Sequence, residues 1–307
     1  MKNINKFLLT FGSLSLAMTL TACSNGEKTE KHDNNKEKQE ATTDKQDKPK
    51  QESNQSETQK NENKKNDNSQ ENEQKLDDKT KLALAFFAKG TEKHMLSRDE
   101  VLTGVFTVRN GSESEKKQLY KLVLSKEDSV VNAPQGMKFY KVYPSIGNFT
   151  SIIGISDKKI IAASTQSRLD YKQLLRTGKE FNTQDLYKQF KNNSSLPELA
   201  NKIEISNQSP AEDKEKLKDY EEHESTVTMA HYRSQIYQII TEFNGQPIDT
   251  DKYLVDNVKQ KDDGGWLVNY RDKRTAEIVG TFTTEGENKI VKKDVDGNVI
   301  KEKTYEE

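Results

Sequence analysis

Residues 24–80 hold only two hydrophobic side chains, Ala41 and Leu76; the remainder is mainly Lys, Glu, Asp, Asn, Gln, Ser and Thr. Such a stretch cannot bury enough apolar surface to offset the entropy of ordering its backbone. It therefore reads as a disordered tether, and any core is confined to about residues 76–307. Its charges are of both signs, which argues against a polybasic arm for membranes or nucleic acid. As a random coil, residues 23–75 would span on the order of 40 Å. The low hydrophobic content of the whole chain, 31%, owes much to this stretch. The formal net charge of −1 gives no argument for a nucleic-acid partner.

Ahead of the tether, Lys2 and Lys6 precede a mostly apolar segment, residues 7–20. It has the length of a secretory leader and is too short for a transmembrane helix. The segment ends Leu20-Thr21-Ala22-Cys23. This run resembles the bacterial lipobox, an aliphatic residue and two small ones before an obligatory Cys. The resemblance implies cleavage between Ala22 and Cys23 and loss of residues 1–22. It also implies a diacylglycerol on the Cys23 thiol, hence a lipid anchor at the extracellular face of the cell membrane. Two acyl chains, palmitate or similar, at about 0.8 kcal/mol per buried CH₂ make a stable anchor. Cys23 is the chain's single cysteine, so the folded part is expected to hold together without disulfides. The tether composition resembles lipoproteins of low-GC Gram-positive bacteria, staphylococcal ones in particular. Residues 102–105 and 136–144 also resemble staphylococcal lipoproteins of no assigned activity.

The rest of the chain predicts an α+β fold in two small domains, each with helices on an antiparallel sheet. The first is expected over residues 76–205. Asp77 or Asp78 can cap a helix bearing Leu82, Leu84, Ala85, Phe86 and Phe87 and ending near Gly90. Strands are expected over 101–108, 119–124 and 137–143, with a hairpin over 149–155 and 159–163. Asn182 or Thr183 can cap one later helix and Ser195 another, the latter with Pro197 in its first turn. Residues 206–224 are polar and read as a linker. In residues 225–307, Met229, Tyr232, Ile236, Ile239, Ile240 and Phe243 recur at spacings of three and four, an amphipathic helix. Four strands should follow, over 253–258, 266–270, 278–283 and 290–299, the last broken at Asp296-Gly297. The order of helix, strands and terminal Asp-Gly hairpin resembles small extracytoplasmic PepSY-type modules, in which a helix packs on a curled sheet.

Motifs for chemistry are sparse. His223-Glu224 begins H-E-x-x-H, but position 227 is Val. His223 and His231 stand about two helical turns apart, too far to share a metal ion unaided. Asp294-Val295-Asp296-Gly297 resembles part of a calcium loop, yet the required acids at 292 and 303 are lysines. Ser114 and Ser156 each open an S-x-x-K match, and Arg176-Thr177-Gly178 is near K-T-G, without S-D-N to complete the set. Phe139, Tyr140 and Tyr143 read as two faces of a buried strand, with an exposed stacking platform as the alternative. Trp266 reads as a core anchor. No catalytic, cofactor-binding or metal-ligating residue is assigned; Ala22 and Cys23 are the site residues, for signal cleavage and lipidation. The expected function is a non-catalytic surface module for a protein, peptide or wall polymer. A wall- or lipid-acting enzyme, using acids such as Asp262, Asp263 and Asp294, is the alternative, and a transporter's solute-binding component the next. The expected partners are the membrane, through the lipid, and that ligand, with no nucleic acid and no cofactor.

Overall fold

The computed structural model describes residues 75–224, 227–286 and 288–305, apart from the side chains of Asn110, Val227, Thr228 and Met229. Ala22, Cys23, the tether and His32 lie outside the described residues, as does the Met229 side chain. The fold is α+β. It opens with helices α1 (Asp78–Phe87) and α2 (Arg98–Thr103), then hairpin β1 (Val105–Asn110) and β2 (Glu113–Gln118). Next come β3 (Leu122–Lys126), β4 (Lys138–Tyr143), β5 (Thr150–Ile155) and β6 (Lys159–Thr165). Helix α3 (Tyr171–Thr177), β7 (Lys179–Asn182), α4 (Thr183–Phe190), α5 (Ser195–Lys202) and β8 (Ile203–Ser206) follow. After α6 (Lys214–Glu224) and α7 (Val227–Asn244), the chain ends in six strands. These are β9 (Tyr253–Val255), β10 (Lys259–Gln260), β11 (Trp266–Asp272), β12 (Ile278–Glu285), β13 (Lys289–Lys293) and β14 (Val299–Thr304).

The first sheet runs β7-β6-β5-β4-β3-β8. Its pairs are antiparallel except β3 with β8, which are parallel; the expectation of a wholly antiparallel sheet is corrected there. Both faces are covered, as the consecutive apolar runs Ile152-Ile153 and Ile160-Ile161-Ala162-Ala163 require. Tyr140, Val142, Ile153 and Ile160 pack with α1, α4 and α5. Phe139, Ile152 and Ile161 meet Tyr171 and Leu174 of α3 on the other face, where Val123 and Tyr143 also meet Tyr220 of α6. Helix α1 is buried all round, so its apolar residues carry no single stripe. The expected linker, residues 206–224, contributes α6 and Tyr220 to this packing.

Two local expectations are corrected. Residues 101–103 are helical, because Ser97 and Glu100 form a capping box that starts α2 and Gly104, at φ +75°, ends it. The final strands number six rather than four. Asp256 turns inward and separates β9 from β10, and the Asp294–Asn298 turn separates β13 from β14.

The second sheet is antiparallel, β10-β11-β12-β13-β14, with β9 also on β11. Ile236, Ile240 and Phe243 of α7 close over Trp266, Val268, Tyr270, Phe282 and Ile290. The two sheets meet at α5. Glu277 accepts from the Ser194 N–H and hydroxyl at 2.9 and 3.0 Å, capping a helix that lacks its own side-chain cap. Arg271, 1% exposed, binds Asp256 and Glu198 in bidentate pairs between 2.6 and 2.8 Å.

Candidate functional site

The strongest candidate is a cleft of about 320 Å³ where α7 ends against the second sheet. Gly245, at φ +86°, stops α7. The chain then descends through Pro247 and Ile248 to Asp249, which pairs with Lys252 at 3.0 Å on the rim. Alternation along β11 sends Trp266, Val268 and Tyr270 toward α7. Gly280 lies opposite Tyr270 in the ladder. A Cβ there would fall 2.6 Å from Tyr270 Cζ and 2.7 Å from the Lys293 carbonyl oxygen, so glycine makes room for the ring.

The wall is aromatic. Tyr253 meets Tyr270 edge-on at 5.5 Å, and Tyr270 lies 5.4 Å from Phe282. The roof is cationic. The Lys292 ammonium sits 5.2 Å from the centroids of both Tyr270 and Phe282. Beyond the cleft lining, the exposed Lys301 lies 5.0 Å over Phe243 and donates to the Phe243 carbonyl at 2.6 Å. Burial, then the neighbouring Lys301 charge, shifts the Lys292 ammonium below the usual lysine range. Such a cleft offers a ligand stacking surface and partly desolvated positive charge.

Other groups of chemical interest are placed differently. His94 Nδ1 lies 2.9 Å from Ser164 Oγ. The ring is buried, and its Nε2 has no partner among the described residues. Burial, then Lys93 and Lys179, shifts the imidazole downward, toward its neutral form. Glu224 is buried, with Oε1 unpartnered, and burial raises its carboxyl to about 7. Arg271 spends its guanidinium on Asp256, Glu198 and the Ala276 carbonyl, so it clasps the sheets together and offers nothing to a ligand.

The residues singled out in the sequence are dispersed. Asp263 receives the Gly265 N–H in a turn, and Asp294 receives those of Asp296 and Asn298; they shape hairpins. Asp262 is exposed beside Asp263. Ser156 closes the β5–β6 turn onto Lys159, and Ser114 is exposed on β2. Gly178 ends α3, packed against Ala163. His223 stacks on Tyr120 at 4.2 Å, while His231 contacts Gln235. Among the described residues, no group of three or more His, Cys, Asp or Glu side chains is able to hold a metal ion. Phe139, Tyr140, Tyr143 and Trp266 are core residues.

Sequence reasoning missed Tyr270, Phe282, Lys292 and Lys301. One signal was available: in Lys289-Ile290-Val291-Lys292, alternation puts Lys292 on the face of the core residue Ile290. No protein-family model, curated protein or solved structure matches this chain.

Proposed function

We propose that the chain is a membrane-anchored extracytoplasmic lipoprotein whose folded part is a non-catalytic binding module. The anchor rests on the Leu20–Cys23 run and the single cysteine. Among the described residues no helix is long and apolar enough to cross a membrane. The binding role rests on one observation, the aromatic cleft roofed by Lys292. A tether of polar residues would let such a module reach a protein, peptide or wall polymer beyond the bilayer.

A second reading, an enzyme acting on wall or lipid, has the His94–Ser164 pair in its favour. A general base must carry the proton it takes. Imidazolium here would be buried, with Nε2 unbonded and two lysines nearby. That cost favours the binding reading.

Two experiments test the proposal. The protein should incorporate a labelled fatty acid and lose residues 1–22, and Cys23→Ala should abolish both; absence of label from the unaltered protein refutes the anchor. The intact protein should be retained on wall preparations or peptides, and Tyr270→Ala should weaken that retention. Unchanged retention on substitution removes the cleft from the function.

A further inference from the structure

Lys292, in the cleft lining, and Lys301, exposed on β14 beyond it, oppose each other across the β13–β14 ladder. Lys292 is the register partner of Lys301, and like charges directly opposite on one face repel. Neither forms an ion pair among the described residues: Lys292 lies over two rings, and Lys301 over a third with a carbonyl as its acceptor. The nearby acids are committed elsewhere. Asp249 pairs with Lys252, Glu285 with Lys293, and Asp294 holds its own turn through Asn298. Among the described residues, the Lys292 ammonium thus stands over two cleft rings, with the Lys301 charge opposite it and no ion-pair partner.

That missing charge identifies the ligand class. Resting on the binding reading above, we propose that the cleft takes a small oxyanion, a phosphate ester or a carboxylate, carried on a ring. The oxyanion pairs with Lys292 beside Lys301, a charge-assisted contact that relieves their repulsion. The ring lies along Tyr253 and Tyr270, which already stand edge to face at 5.5 Å. A volume of about 320 Å³ accommodates a single ring with its substituent.

The test titrates the full chain in detergent with phenyl phosphate, benzoate, inorganic phosphate and neutral benzyl alcohol, followed by calorimetry. At least one ring-bearing anion should bind roughly tenfold tighter than benzyl alcohol. Lys292→Gln should remove most of that preference and Lys292→Arg should retain it. Phenyl phosphate against benzoate distinguishes a phosphate source from a carboxylate source. Inorganic phosphate binding as tightly as phenyl phosphate overturns the role of the ring. Equal binding of benzyl alcohol and the anions overturns the oxyanion assignment and leaves the cleft as a binding site. Binding of no ring probe overturns this assignment, while wall retention tests the broader reading separately. If Lys292→Gln fails to fold, the Lys292 side-chain NMR signals of the unaltered protein serve instead. They should shift on adding the preferred anion and stay fixed with benzyl alcohol; fixed signals with both overturn the proposal.

Discussion

At the scale of single residues, Glu224 makes the fold's stability depend on pH. Its folded carboxyl is raised to about 7 by burial, despite Lys117 nearby and with Glu221 adding to the rise. A raised carboxyl binds its proton more tightly in the folded state than in the unfolded one. Its contribution is complete below the unfolded value near 4.5 and is lost as pH rises through about 7. Thermal unfolding should therefore show lower stability at pH 8 than at pH 5, by on the order of 2–3 kcal/mol from this group. Glu224→Gln should flatten that part of the profile; an unchanged slope would assign it to other groups. Gly280→Ala should cost about 1–3 kcal/mol in chemical denaturation and disturb Tyr270, because its methyl meets both a ring and a backbone oxygen. Neither residue announces itself in the sequence. Glu224 closes the polar stretch 206–224 that reads as a linker, and its burial comes with the packing of α6. Lys292 was more legible, since the alternation of Ile290 and Lys292 points a cation inward.

Among the elements, boundaries set by capping chemistry were readable where the cap was recognised. Asp77 accepts from the Thr80 N–H at 2.8 Å and Asn182 from Asp185 at 3.0 Å, both as the residue types suggest. Residues 101–103 of α2 fit the strand pattern expected over 101–108, and the Ser97–Glu100 box upstream makes them helical instead. That box also leaves a test. Ser97→Ala should cost about 1 kcal/mol and lower the melting temperature by a few degrees; no shift would mean that Glu100 alone holds the turn. Strand β8 was missed for another reason. Four residues pairing in parallel with a strand some eighty positions earlier carry no local signature. At the far end, β14 is exposed along its whole length, with Val299 and Ile300 among the few large exposed apolar side chains. Its alternating Lys301, Glu302 and Lys303 are the kind of charge pattern that blunts an open sheet edge.

For the whole molecule, the α+β class followed from the alternation of helical and strand patterns, whereas the contact between the sheets did not. Arg271 follows the inward Tyr270 at a bulge in β11, and its partners stand 15 and 73 positions away. No spacing rule links such residues. Arg271→Ala would leave Asp256 and Glu198 without their counter-charge. The expected loss is about 3–5 kcal/mol in denaturant unfolding, with separate transitions for the two sheets if the clasp is what couples them. A single, barely shifted transition would show that apolar contacts at α5 suffice. The Glu277 cap on α5 has a consequence for synthesis. A chain made from its N-terminus finishes β3 long before β8 exists to pair with it, and finishes α5 long before Arg271 and Glu277 emerge. Helix α5, which packs on the first sheet, must therefore wait for the last quarter of the polypeptide before Glu277 and Arg271 fix its start. Shortening the chain ahead of Glu277 should yield a protein that proteases recognise, even though every residue of that first sheet is present.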